Sequence, residues 1–195
     1  IVEFIAEIDV IKSGAKTASL YGYMKPFIND VQDGESYIDT EAIRHPIIER
    51  IQTDIEYVTN NIKLDNGQKG MLLYGTNAAG KSSLMKAMGL NVIMAQAGFF
   101  VAASRFQFWP YKYLFTRINN NDNLFKGESS FAVEMSELRS ILKRSTANSL
   151  ILGDELCSGT ESISAQSIFS ASVIKLIENN SSFKTLAEKI DCAEI

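Results

Sequence analysis

Gly70-Met71-Leu72-Leu73-Tyr74-Gly75-Thr76-Asn77-Ala78-Ala79-Gly80-Lys81-Ser82-Ser83 is the stretch on which the reading of this chain turns. Met71–Tyr74 is a short apolar strand that stops at Gly75. From Ser83 onward Leu84, Met85, Met88, Val92 and Met94–Ala95 recur at helical spacing. Between strand and helix, Gly75-x-x-x-x-Gly80-Lys81-Ser82 satisfies the whole G-x-x-x-x-G-K-S/T pattern of a phosphate-binding loop. Gly75 and Gly80 let the backbone turn so that amides point at phosphate oxygens, and the helix adds the positive end of its dipole. In such a loop Lys81 reaches the β- and γ-phosphates and the Ser82 hydroxyl ligates Mg²⁺.

A second stretch supplies what a phosphate loop needs opposite it. Ser149-Leu150-Ile151-Leu152-Gly153-Asp154-Glu155 reads as a buried strand ending in two carboxylates. Asp154 is placed to hold Mg²⁺ through its waters, and Glu155 to orient or deprotonate an attacking water. The plainer reading, two carboxylates capping a strand end, is disfavoured by the phosphate loop beside them. Strands alternating with helices, with ligand groups at strand C-termini, give an α/β fold with a crevice along that edge.

Outward from these two stretches, residues 1–20 read as a helix, with Phe4, Ile8 and Ile11 on one apolar face and Ala15, Ala18 and Ser19 suited to close packing. That face is expected to pack against neighbours outside these residues. Gly22, Pro26, Asn29, Asp30, Asp33 and Gly34 then mark turns. Short strands are expected at Ser36–Ile38 and Glu56–Val58, and Asn60–Leu64 runs into Asp65-Asn66-Gly67, a hairpin or loop signal. Together these make a small, largely β lobe ahead of the phosphate loop. Tyr111–Ile118 contains a strand, Phe131–Lys143 and Ala165–Glu178 are helices, and Phe183–Ile195 is a short helical segment.

Composition narrows the function. Of 195 residues, 46% are hydrophobic and 22% charged, an ordinary globular balance. The net charge of −4, with no basic cluster, disfavours this chain as a main DNA-binding surface. No run of 18 apolar residues and no signal-peptide form is present, so the expectation is an intracellular protein without a membrane span. Cys157 and Cys192 form no zinc or redox pattern and read as structural thiols. The ends at Ile1 and Ile195 are read as those of a piece of a longer chain.

Other candidates carry weaker signals. Ser129 or Ser130, after Gly127, is either an ordinary helix N-cap or a contact to the γ-phosphate of a nucleotide held by another subunit. His45 lies between Arg44 and Pro46 with no partner ligand, and is assigned no chemistry. Arg105 and Arg117 read as local ion-pair residues rather than phosphate contacts. Phe106, Phe108, Trp109, Tyr111 and Tyr113 lack the interleaved basic residues of a base-stacking surface, so core or interface packing is expected.

These motifs in this order resemble the C-terminal ABC-type ATPase domain of the MutS mismatch-recognition family. Ile5-Ala6-Glu7-Ile8-Asp9-Val10 resembles the helix leading into that domain, Glu41–Pro46 its Arg-His-Pro signature, and Tyr57-Val58-Thr59-Asn60 its aromatic Asn segment. The phosphate loop with Asn77, Ala95–Val101 followed by Phe115–Ile118 as one block, Ser129–Met135 and Asp154–Thr160 complete seven ordered matches. The resemblance implies an ABC-type P-loop NTPase with a small N-terminal β lobe and a preceding helix. It divides the chain into 1–20, the end of a connecting helix, 21–183, the ATPase domain, and 184–195, a C-terminal helical segment. It implies ATP and Mg²⁺ as cofactors, with Glu155 and Lys81 catalytic and Ser82 and Asp154 at the metal. Tyr57, Gly75, Asn77, Ala78, Ala79, Gly80, Lys81, Ser82, Ser83, Ser129 and Ser130 fall at the nucleotide, Tyr57 stacking on adenine and Ser129 and Ser130 acting across a dimer. Implied partners are a second subunit, in a homodimer or a MutS-like heterodimer, and DNA held by domains outside this chain.

Three departures matter. The family's Gly-Pro-Asn-Met-Gly-Gly-Lys-Ser-Thr has Ala79 in place of its penultimate glycine, and Ser158 stands where an arginine is usual. Both resemble an outlying branch found in large DNA viruses and organelles. The family also has a later strand ending Thr-His, and no histidine follows Phe183. Either activity is impaired or a loop is missing between Phe183 and Lys184, and the second is preferred. The same expectation applies around Leu64–Asn66 and Asn123–Lys126.

Overall fold

Side chains alternate along a strand, and in one buried strand that alternation organises the molecule. The computed structural model describes residues 1–28, 34–52, 54–76, 79–117, 130–154, 162–179 and 182–186, with the backbone alone at 130, 162 and 182–186. In chain order its elements are α1 (Val2–Tyr21), β1 (Phe27–Ile28), β2 (Tyr37–Ile43), α2 (Ile48–Ile51), β3 (Asn60–Leu64), β4 (Gly70–Leu73), α3 (Lys81–Gln96), β5 (Arg105–Trp109), β6 (Tyr113–Arg117), α4 (Ser130–Arg144), β7 (Ser149–Gly153), α5 (Ser162–Glu178) and β8 (Ser182–Leu186). In β7, Leu150 and Leu152 pack into one core with Met85, Met88 and Val92 of α3. Ile151 points the other way, onto Ile141 of α4 and Leu176 of α5. Coverage on both faces explains why β7 is buried throughout and carries Leu150, Ile151 and Leu152 in succession, as strands of a doubly covered parallel sheet do.

That sheet runs β4-β8-β7-β6 with every pairing parallel. All four strands therefore end along one edge, where Leu73 leads into the phosphate loop and Gly153 into Asp154. The second sheet, β1-β5-β2-β3, is mixed. Its Ile38, Ile62, Leu64, Phe106 and Phe108 face the same core as α3. The two phenylalanines meet edge to face, with centroids 5.6 Å apart. On the outer face Arg105 pairs with Glu41 at 2.7 Å and Asp39 at 3.4 Å, as a residue reserved for local ion pairing would. Arg117 likewise pairs with Glu137 at 2.9 Å.

Several expectations need correction. The strand foreseen at Ser36–Ile38 begins at Tyr37 and runs to Ile43, and Glu56–Val58 is not a strand. The β lobe is not complete before the phosphate loop, because β5 follows α3 in sequence yet sits between β1 and β2. The Asp65 turn does not close a hairpin: β3 and β4 belong to different sheets. The turn itself is a local device in which Asp65 Oδ1 accepts from the amides of Gly67 (2.9 Å) and Gln68 (3.0 Å). The helical segment expected over 184–195 is strand β8 as far as Leu186, held on both sides by β4 and β7. Phe183 and Lys184 both lie within that strand. Residues 187–195 and Asn123–Lys126 lie outside the described residues.

α1 matches its expectation. Phe4, Ile8 and Ile11 are 65%, 47% and 64% exposed, whereas Ala18 is buried with Tyr23 and Ala102. The helix stops at Gly22, whose left-handed backbone (φ 61°) ends it. No described helix is long and apolar enough to cross a membrane.

Candidate nucleotide site

The phosphate loop springs from the end of β4, the outermost strand of the parallel sheet among the described residues. β4 ends at Leu73, Gly75 turns out of the strand, and α3 begins at Lys81 with Gly80 as its N-cap. Gly80 adopts φ 85°, ψ 8°, a left-handed conformation that a side chain there would strain by about 1–2 kcal/mol. Ala79 is not among the positive-φ residues, so alanine fits where the family pattern has glycine. α3 has no capping side chain and no acidic residue in its first turn, so the positive end of its dipole favours an anion there.

Lys81 Nζ donates to the carbonyls of Gly75 (2.6 Å) and Thr76 (2.8 Å), which folds the ammonium into the curve of the loop. Ser82 Oγ donates to Asp154 Oδ1 at 3.3 Å across 72 residues of sequence. Asp154 is 8% exposed, and its amide donates to Arg117 O at 2.7 Å, fixing the turn that leaves β7. Tyr57, on the segment leading into β3, brings its hydroxyl within 3.5 Å of Ser83 Oγ. Of the residues singled out from sequence, Tyr57, Gly75, Ala79, Gly80, Lys81, Ser82, Ser83 and Asp154 are thus described around one loop. Asn77, Ala78, Ser129 and Glu155 lie outside the described residues. Ser130 is described only as the first residue of α4.

The fit to a metal can be judged from its donors. Ser82 and Asp154 offer a hydroxyl and a carboxylate oxygen close together at the sheet edge. Among the described residues no group of three or more His, Cys, Asp or Glu could hold a metal. A cation here would rely on few protein oxygens plus phosphate and water, the manner in which Mg²⁺ is bound beside nucleotides.

A family model, MutS domain V, matches residues 71–190. The chain belongs to the MutS family. It is 44% identical over 185 residues to a mitochondrial DNA mismatch repair protein mutS homolog of Sarcophyton glaucum, covering 94% of this chain and 19% of that protein. A putative DNA mismatch repair protein mutS homolog of Acanthamoeba polyphaga mimivirus is 38% identical over 218 residues, with the same two coverages. The DNA mismatch repair protein MutS of Chlorobium phaeovibrioides is 44% identical over 165 residues, covering 84% of this chain and 18% of that protein. The chain therefore spans about a fifth of the length of these relatives. An organellar and a viral MutS are both among them, as the Ala79 and Ser158 departures suggested. Domain V is the ATPase module of MutS proteins, which use ATP with Mg²⁺.

MutS domain V here also contains structure that the sequence reading passed over. His45 is buried, and its Nδ1 accepts from the amides of Ile47 (3.2 Å) and Ile48 (3.3 Å), capping α2. Burial holds its pKa below the ordinary value, in keeping with a neutral acceptor. Arg44 donates to the carbonyls of Tyr21 (3.1 Å) and Gly22 (3.3 Å) and pairs with Glu49 at 2.7 Å. The Pro46 carbonyl accepts from Tyr23 Oη at 3.3 Å, and burial, with the nearby Glu49 carboxylate, pushes that phenol's pKa up to about 12. The Arg-His-Pro signature is thus a structural knuckle joining α1 to the body of the domain. Asn91 and Gln96 were also missed. An amide on the apolar stripe between Met88 and Val92 is the signal that marks Asn91.

Proposed function

We propose that the chain binds and hydrolyses ATP through an ABC-type P-loop site whose metal corner is Ser82 with Asp154. The observation that carries this reading is the 3.3 Å approach of Ser82 Oγ to Asp154 Oδ1 at the mouth of the phosphate loop. Ser82 and Asp154 would hold Mg²⁺ there, and the ion would supply positive charge to offset that developing on the phosphates. The chain's own residues do the rest. The first-turn amides of α3 and Lys81 cradle the phosphates, Lys81 exchanging its loop carbonyls for phosphate oxygens. Tyr57 stacks on the base, with its hydroxyl held toward Ser83. Asp154 keeps the Ser82 hydroxyl aimed at the cation. Glu155, the next residue in the chain, orients and deprotonates water.

The resemblance extends this to a composite site. MutS proteins dimerise and bind DNA, and Ser129 and Ser130 of one subunit complete the nucleotide site of the other. Isolated chains then turn ATP over slowly, and the whole protein acts on mismatched or branched DNA through other domains. Turnover by the dimeric full-length protein, measured beside Glu155→Gln, tests the assignment. Tight binding with turnover abolished in the variant supports it. Binding with no Glu155-dependent turnover would replace it with a nucleotide-gated clamp, the alternative favoured by His45 being the chain's one histidine.

A further inference from the structure

α3 is held in the core by Met85, Met88, Val92 and Ala95. Apolar packing of this kind is non-directional, so it fixes the depth of a helix better than its position along its own axis. Hydrogen bonds to points outside the helix fix the axial register, and α3 has two sets. Fully buried Asn91 donates through Nδ2 to Arg44 O at 3.0 Å and accepts at Oδ1 from Ala102 N at 2.7 Å. Arg44 N donates in turn to Ala102 O at 2.8 Å, which closes a ring of three bonds. Its remaining donation, to Ala87 O at 2.8 Å, stays within the helix and orients the amide. Gln96 repeats the device at the last residue of α3. Its Nε2 donates to Tyr111 O at 3.0 Å and its Oε1 accepts from Tyr111 N at 2.8 Å, pairing with the backbone as a strand would.

The opposite end of the same helix carries Lys81 and Ser82. A 16-residue helix transmits an axial shift along its length, and the Ser82–Asp154 contact spans two elements anchored separately. We infer that Asn91 and Gln96 are positioning residues for the Mg²⁺–nucleotide site: they pin α3 to the β2–β5 junction and to the entry of β6, and so hold Ser82 opposite Asp154. The inference rests on the reading of Ser82 and Asp154 given above.

The test is binding of a fluorescent ATP analogue titrated with Mg²⁺, combined with hydrogen exchange at the Ala102 and Tyr111 amides. Asn91→Leu and the gentler Gln96→Ala, at an exposed position, are compared with Leu138→Ala, which weakens the separate α4–α5 cluster. The expected result is a rise of about tenfold in the Mg²⁺ needed for half-saturation in both joint variants, as a misplaced ligand brings. The matching amide should exchange faster, and Leu138→Ala should leave the Mg²⁺ requirement within about twofold. Wild-type Mg²⁺ dependence in folded Gln96→Ala would overturn the inference. So would an equal shift in Leu138→Ala, since that reports general loosening. Ser82→Ala separates the two levels. If it leaves the Mg²⁺ dependence untouched, the metal-corner reading itself fails, whereas a Ser82 effect without a Gln96 effect defeats only the positioning role.

Discussion

Replacing His45 tests whether the Arg-His-Pro knuckle is held by hydrogen bonding or by bulk. In His45→Ala, the amides of Ile47 and Ile48 at the start of α2 lose an acceptor, at sites the structure gives as 3.2 and 3.3 Å and only partly open to water. Each long bond contributes about 0.5–1 kcal/mol net, and the lost imidazole packing adds a comparable amount, giving a loss of about 2 kcal/mol. For a chain of this size that is a fall of roughly 4–8 °C in the midpoint of a thermal melt. His45→Asn is expected to recover most of it, because an asparagine side chain accepts from amides two and three residues on in the same way. The pH dependence gives a second reading. Burial depresses the folded-state pKa of His45 below the unfolded value of about 6.5. Between those two values the unfolded chain binds more protons, so stability rises with pH there. His45 thus contributes fully above about pH 6.5, and its contribution is lost as pH falls toward the folded-state value. Thermal or urea melts from pH 7 to 5 should converge for wild type and His45→Asn as the pH drops. An alanine cost below about 0.5 kcal/mol, or a pH-independent gap between wild type and asparagine, would refute the reasoning.

Ala42 sits in the bulge between Thr40 and Ile43 with φ 47°, so Ala42→Gly should stabilise the fold by up to about 1 kcal/mol, read as a higher urea midpoint. Gly80→Ala should do the reverse at φ 85° and weaken nucleotide affinity by about tenfold or more in equilibrium titration, since the loop must re-form around the side chain. Tyr57→Phe should raise the KM for ATP only about two- to threefold, consistent with loss of one long hydroxyl contact, whereas Tyr57→Ala should raise it about tenfold or more through lost stacking. Equal effects of the two Tyr57 variants would refute base stacking.

What the sequence revealed and what it hid follow the range over which each signal acts. The phosphate loop needs only a strand, two glycines and a helix start within fourteen residues, and β7 announces itself by being apolar and ending in carboxylates. Both were legible because local chemistry determines them. The place of β5 was not. Phe106 and Phe108 say that a strand is buried, but its insertion between β1 and β2 is decided by pairing partners 64 and more residues away. The Asp65 turn shows the same division, since its hydrogen bonds are those of a tight turn whether the flanking strands pair or part. From sequence alone 179–182 reads as a loop and Phe183–Ile195 as a helical segment, because nothing in Ser182–Leu186 by itself marks a strand. It is a strand because β4 and β7 offer a ladder on either side. Asn91 was visible as an anomaly, but its two partners outside α3, Arg44 and Ala102, lie on separate segments that sequence does not bring together.

The position of β8 also bears on the order in which a newborn chain can acquire its activity. The strand bearing the phosphate loop and the strand bearing Asp154 are not neighbours; each is paired to the segment that leaves the ribosome last among the described elements. At ordinary translation speeds, an interval on the order of ten seconds separates synthesis of the loop from that of its stabilising neighbour. Until then the sheet edge is split, and a prematurely terminated product would carry the phosphate loop and Asp154 yet lack the strand that lies between β4 and β7. Competence for nucleotide therefore reports that synthesis has reached at least Leu186.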